Sequence, residues 1–366
     1  MNEMILGGGA NPAGGGAGGG AGGGAVIGTL MDGYSNSLYA EALNRSREGI
    51  VNPLSTGAFA EPQLPDIGDG PAILESCARW EPWVRSYLAT GELLAPLSFA
   101  YMPAAGKKTG LQLKVLGGAT SAVIASIERP ERKVFQDEIA EVLGYAELRD
   151  DRAPEVLTQI DSQLGFWAAA VQMRPDLTPR TYELLNVALQ LAIFVEMRFK
   201  HELACWRPVN YSADVQPMIT TPGHGSLPMG HAAQAYMAAY LLGKLADEND
   251  ATGVQAMLYR LAFRMSMNRI VAGVHFPVDL PAGAALGMAL GEYFWRRADA
   301  TAPASATMTV WEFNAANYQA CPITQPQFVD GYKNGQTASA LAFAPAPVSA
   351  YLWSGARVEW AARQPS

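Results

Sequence analysis

RTYELLNVALQLAIFVEMRFKHELACWRP, residues 180–208, is the stretch whose reading decides the fold. Leu185, Leu189, Ile193, Glu196 and Lys200 share one face by their three- and four-residue spacing. The pattern predicts a helix over 179–204 whose apolar stripe ends in charge. Pro208 stops any helix and pushes Arg207 toward extended backbone, so Arg207 can turn back to the same place as Lys200. Buried charge of this kind is costly unless an opposite charge meets it.

Two further segments repeat the pattern. In LPMGH, residues 227–231, Pro228 and Gly230 suit a tight approach to a helix whose stripe runs from His231 through Ala235, Ala238, Ala239 and Leu242. The free N–H groups at such a helix start favour anions. In NRIVAGVHFPVD, residues 268–279, Arg269 continues the buried stripe of Leu258, Leu261, Ala262 and Met265. His275 precedes Pro277, which suits the first turn of a new helix. Asp279 then lies about one turn on, able to accept from one ring nitrogen and leave the other as nucleophile or ligand. Lys200, Arg207 and Arg269 beside His231 and His275 make a cage for phosphate or its heavier analogue vanadate.

Taken singly, each residue has a plainer explanation. An inward His is usually a satisfied core residue. Either Arg could pair with a structural Glu, and Glu196 could pair with Lys200 at i, i+4. Joint placement of all six groups at helix ends favours the cage.

The three segments resemble the signature of the vanadium-dependent haloperoxidase and type 2 phosphatidic acid phosphatase superfamily: K-x6-R-P, then P-S-G-H, then S-R-x5-H-x3-D. Lys200, Arg207 and Pro208 match the first part; Pro228, Gly230 and His231 the second; Arg269, His275 and Asp279 the third. The likeness covers roughly residues 180–297. His224, at the head of HGSLPMGH, falls where bromoperoxidases carry His, and the likeness is to soluble bromoperoxidase-like members. Two positions depart: Asn268 stands for the Ser before Arg269, and Met229 for the Ser of P-S-G-H, where a thioether cannot donate a hydrogen bond.

The resemblance implies a vanadate-dependent haloperoxidase that oxidises halide, bromide rather than chloride, with hydrogen peroxide to halogenate a small organic acceptor. His275 is implied as the axial vanadate ligand, with Asp279 orienting it. Lys200, Arg207, Arg269 and the Gly230 N–H are implied on the oxyanion, and His231 as the proton acceptor. Lys200 is also implied to polarise bound peroxide, and His224, Ser226 and Met229 to face the halide and substrate. The same cage implies, as alternatives, a soluble acid phosphatase working through a phosphohistidine, with phosphate in the site, or a re-purposed member inactivated at Met229.

Composition excludes other classes. The 366 residues carry only 16% charged side chains and a net charge of -8, with no basic tract for nucleic acid. Cys77, Cys205 and Cys321 lack CxxC spacing, which argues against a zinc site and fits a reducing compartment. With no export signal and no long apolar run, the expectation is a soluble cytoplasmic protein with no membrane span, able to form a homo-oligomer. The Gly/Ala-rich start mimics GxGxxG without a preceding strand, and the GKKT at 106–109 lacks the first Gly of a phosphate loop. His201-Glu202 lacks the second His of a zinc-protease helix, and Ser226 lacks the final Gly of a nucleophile elbow.

Helical periodicity covers roughly 132–145, 154–172, 179–204, 231–248, 253–271 and 278–298. Residues 111–127 have faint strand or helix character. The fold expected is all-α, a helical bundle with the oxyanion site at helix ends in its core. A mobile Gly/Ala-rich tail is expected over 1–29, a catalytic domain over 30–300 and an irregular C-terminal wrap over 301–366.

Overall fold

The structure, a computed structural model, describes residues 76–104, 107–247, 253–299, 305–315, 318, 332–337 and 340–363, with 41–42 and 44–46 helical. The tail expected over 1–29 lies outside the described residues. In chain order come α1 (Pro82–Leu94), β1 (Leu97–Ala104), β2 (Lys107–Gly117), β3 (Thr120–Glu128), α2 (Arg132–Asp137), α3 (Ile139–Tyr145), α4 (Arg149–Asp161), α5 (Leu164–Val171) and α6 (Pro179–Leu203). There follow α7 (Gly230–Ala246), α8 (Val254–Val271), α9 (Asp279–Ala298), β4 (Ser305–Ala306), β5 (Thr309–Phe313), β6 (Lys333–Gln336), β7 (Leu341–Ala342) and α10 (Pro347–Ala361).

Helix α7 is the axis of the core. It contacts α6, α8 and α9. Nearly all its residues from Gly230 to Leu245 are buried, five of them alanines, so its neighbours approach closely. The closest is α9, where a Cβ on Gly287 would lie 2.4 Å from the Ala233 backbone oxygen. Backbone cannot yield as a side-chain tip does. Gly287→Ala is expected to destabilise the fold by about 1–3 kcal/mol, overriding the roughly 1 kcal/mol that Ala gains over Gly in a helix. Urea unfolding checks this: an unmoved midpoint means that α7 and α9 do not pack this tightly.

The all-α expectation needs correction. Five strands form one sheet in the order β1-β2-β3-β5-β6, with β3 and β5 parallel and the other pairs antiparallel. The sheet contacts α6 through β2 and α9 through β3 and β5. Its signal lies in residues 111–115, where Leu111, Leu113 and Val115 are buried and Gln112 and Lys114 are less so. That two-residue alternation specifies a half-buried strand. Gly118, at φ +66°, opens the two-residue turn to β3.

The C-terminal wrap is likewise more regular than expected. β5 joins the sheet beside β3, and α10 packs on α1, α6 and α9. Carboxylates tie it down at helix starts. Glu359 accepts from the Arg180 and Thr181 N–H groups, and Glu92 accepts from those of Val348 and Ser349. Each satisfies donors with no partner inside their own helix. The helix expected over 154–172 is two: α4 starts at Arg149, with Pro154 in its early turns, and breaks after Asp161 before α5. Among the described residues no helix is long and apolar enough to cross a membrane.

Candidate functional site

The cage residues meet where α6 ends and α7 begins. Lys200 lies in the last turn of α6, which closes through a left-handed Ala204, φ 49°. After Pro208 the chain returns through His224 to cis-Pro228, and α7 starts at Gly230. Met229 N–H donates to the Asp279 carbonyl at 2.9 Å, joining the starts of α7 and α9. Arg149 joins the end of α8 to the segment that returns to α7, donating to the carbonyls of Val271, Gln216 and Val215 at 3.0, 2.8 and 2.9 Å.

Between these elements lies a small hollow with an open mouth. Lys200, Arg207, Arg269, His224, His231, His275 and Gly230 line it, together with Glu196, Pro222 and Val274. Seven of the ten candidate site residues therefore face one space. Asp279 stands behind them, fully buried, with Oδ2 2.8 Å from His275 Nδ1 and 2.9 Å from the Phe276 N–H.

Ser226 and Met229 do not line the hollow as expected. Ser226 is fully buried and its hydroxyl donates to Asp279 Oδ2. It belongs to the support of His275, because a hydroxyl taken out of water must find an acceptor. Met229 is fully buried in the apolar core. Its thioether gains from that packing and nothing from a charged hollow. The variable position Asn268 ties helices together: its amide donates at 3.0 Å to both Glu155 and Gln159 of α4 and accepts from Arg152.

Partners assign the imidazole tautomers. His275 Nδ1–H donates to Asp279, so Nε2 carries the lone pair, which accepts from Arg207 Nη1 at 2.9 Å. Burial, then the charges of Arg207 and Lys200, hold His275 well below the usual imidazole range. His231 Nε2–H donates to the Gln159 carbonyl at 3.0 Å, which leaves Nδ1 unprotonated. Burial and the Arg269 charge push its pKa down to about 3. His224 is lowered to about 4 by burial and by Lys200 and Arg207, and its Nδ1 lies 3.1 Å from Arg207 Nη2.

The cations are unevenly satisfied. Lys200 Nζ donates to the carbonyls of Gly225, Ser226 and Pro228 at 3.2, 3.0 and 2.6 Å, not to Glu196. Burial and the nearby Arg207 lower its pKa to about 7. Arg269 donates from Nη2 to the Val156 carbonyl and Gln159 Oε1, but its buried Nε and Nη1 have no partner among the described residues. Burial lowers both Arg207 and Arg269 to about 10, so both stay charged at neutral pH.

Sequence reasoning missed three polar residues of the site. Gln159 of α4 holds both His231 and Arg269. Glu138 accepts from the Val278 N–H at 3.1 Å and bears on the loop carrying His275. In the sequence Glu196 reads only as a helical i, i+4 partner for Lys200. Gln159, in α4, and Glu138, between α2 and α3, are remote in sequence from every motif, so no spacing could link them. Glu196 was within reach, since it shares the face of Lys200.

Residues 182–301 match the PAP2 superfamily. Over 73 residues the chain is 37% identical to decaprenylphosphoryl-5-phosphoribose phosphatase of Mycobacterium tuberculosis strain H37Rv, and equally to that of strain CDC 1551. The match covers 20% of this chain and 37% of each relative, well short of two thirds of their length. Among solved structures, a bacterial vanadium-dependent iodoperoxidase aligns at 21% identity and TM-score 0.29 over 34% of each chain.

Proposed function

We propose that the PAP2 superfamily domain of this chain is an enzyme of tetrahedral oxyanions, working as a vanadate-dependent haloperoxidase that takes bromide as its halide. One observation carries the oxyanion reading. Two buried guanidinium nitrogens of Arg269 without a partner among the described residues, and the unprotonated Nε2 of His275 beside Arg207, belong to one hollow lined by Lys200, Arg207, Arg269 and the Gly230 helix start. Buried donors without acceptors are disfavoured unless a ligand supplies them.

These residues fit vanadate. His275 Nε2, left unprotonated because Nδ1–H donates to Asp279, would be the ligand atom. Arg207, Arg269, Lys200 and the Gly230 N–H are the groups that neutralise its oxygens. Vanadate, when bound, supplies a Lewis acid that needs no change of oxidation state. His231 takes a proton at Nδ1 from incoming hydrogen peroxide. Its low pKa in the free site and the Nε2–H held by Gln159 fit a base better than an acid. In this reading Lys200 turns one N–H from a backbone carbonyl to peroxide, and the half-buried His224 meets the arriving halide and organic acceptor.

A second reading has its own support in the phosphatase relatives. There His275 Nε2 attacks the phosphorus of a phosphate monoester, the alkoxide leaves with a proton from His231, and water hydrolyses the phosphohistidine. That route needs His231 protonated first, which a bound anion's charge promotes.

Protein loaded with orthovanadate and given hydrogen peroxide and bromide is expected to brominate an activated phenol. Isothermal titration should show one site per chain for orthovanadate. Hydrolysis of p-nitrophenyl phosphate without vanadate-dependent bromination sinks the peroxidase reading in favour of the phosphatase. The absence of both activities and of oxyanion binding sinks both.

A further inference from the structure

Glu196 is a carboxyl group inside an anion site. It is fully buried in α6, and neither oxygen accepts a hydrogen bond among the described residues. It lines the hollow with the cations, against the start of α7: a Cβ on Gly230 would lie 2.3 Å from Glu196 Oε1 and 2.7 Å from Oε2. Glycine at 230 is therefore what lets this carboxyl reach the helix start.

Its protonation state follows from its surroundings. Lys200 faces it from its own helix, Arg207 and His224 from the returning loop, and His231 from α7. Arg269 of α8 and His275 of the loop before α9 line the same hollow, with Asp279 behind His275. Lys200 and Arg207 both turn their N–H groups to other acceptors. A buried carboxylate left without donors beside such groups pays its full desolvation cost, so the neutral acid is favoured. Burial raises its pKa to about 7, against the opposing pull of Lys200 and Arg207. A neutral carboxyl is a hydroxyl donor.

The start of α7 lacks such a donor. Met229 stands where the resemblance expects a serine hydroxyl, and its side chain goes into the core. We propose that Glu196, as the neutral acid, binds the oxyanion directly and supplies the hydroxyl hydrogen bond absent at Met229. This rests on the oxyanion reading and makes binding depend on pH. Below about 7 the donor is present; as pH rises through that value the group becomes a buried anion facing the ligand, and affinity falls.

Isothermal titration with orthovanadate and with inorganic phosphate tests this on wild type, Glu196→Gln and Glu196→Leu. Glutamine keeps a donor at every pH; leucine keeps the volume and donates nothing. The leucine variant is expected to lose roughly 10- to 150-fold in affinity at pH 6, and the glutamine variant to stay within about threefold of wild type. The wild-type to glutamine affinity ratio, in which the probe's own ionisation cancels, should fall as pH rises past about 7. Equal binding by leucine and wild type, or tighter binding by both variants, overturns the proposal; the second result identifies Glu196 as an internal counter-anion. If wild type binds neither probe, the oxyanion reading falls and this inference with it.

Discussion

His275→Ala is expected to remove vanadate-dependent bromination and p-nitrophenyl phosphate hydrolysis alike, by at least about a thousandfold in kcat. In either proposed chemistry His275 Nε2 would make the covalent bond to the oxyanion centre. Its neighbours lie elsewhere: His231 gives Nε2 to Gln159, and His224 sits beside Arg207. The fold should tolerate the change, because Asp279 Oδ2 keeps the Ser226 hydroxyl and the Phe276 N–H. Thermal unfolding close to that of wild type would separate lost chemistry from lost structure. Added imidazole, able to enter the space vacated by the ring, should restore part of the activity. Turnover near that of wild type would remove His275 from its role.

The second large effect is expected at Arg269, and its two halves have opposite signs. With Nε and Nη1 buried and unpartnered, Arg269 bears a desolvation cost that only a ligand repays. Arg269→Met keeps a long flexible stem and removes the charge. The free protein is expected to hold its stability or gain about 1–4 kcal/mol. Affinity for phosphate or vanadate is expected to fall roughly 10- to 150-fold with the loss of charge-assisted donors. Thermal unfolding with and without phosphate reads both at once. Wild type should gain stability as ligand is added and the variant should gain little. A variant that unfolds early but binds as tightly as wild type would make Arg269 structural.

Both expectations depend on the same local arrangement, a charged or basic atom held ready by backbone and side chains that do not themselves touch the ligand. Asp279 sets the tautomer of His275, and Gln159 that of His231. Arg149 ties the end of α8, at Val271, to Val215 and Gln216 of the segment between α6 and α7. Pre-positioning of this kind gives a site its strength, because nothing need reorganise when charge arrives.

The helices were legible because their periodicity is a local property. Leu185, Leu189 and Lys200 sit on one helix by spacing alone, and α6 runs from Pro179 to Leu203 against an expected 179–204. The sheet was harder. The alternation of Leu111, Leu113 and Val115 is short, and strand pairing joins residues as distant as Ala125 and Trp311. Helix α10 is hard to read because exposed Val358 and half-buried Tyr351 and Gly355 blur the outer face, although Val348, Leu352, Trp353, Ala356 and Trp360 keep helical spacing on the buried one; its start is capped by Glu92 from across the chain. Ser226 and Met229 share a motif in sequence yet point away from the hollow, one to Asp279 and one to the core.

From sequence alone it was possible to name which charged residues collect at helix ends, since spacing and helix-stopping residues act over one or two turns. The chain's long-range packing decided the rest: that α4 brings Gln159 to the imidazole of His231, that Gly287 lets α9 press against α7, and that Lys200 gives its N–H groups to backbone carbonyls and leaves Glu196 in the hollow without them. Those outcomes come from competition among distant groups for a few buried partners, and no local pattern records who wins.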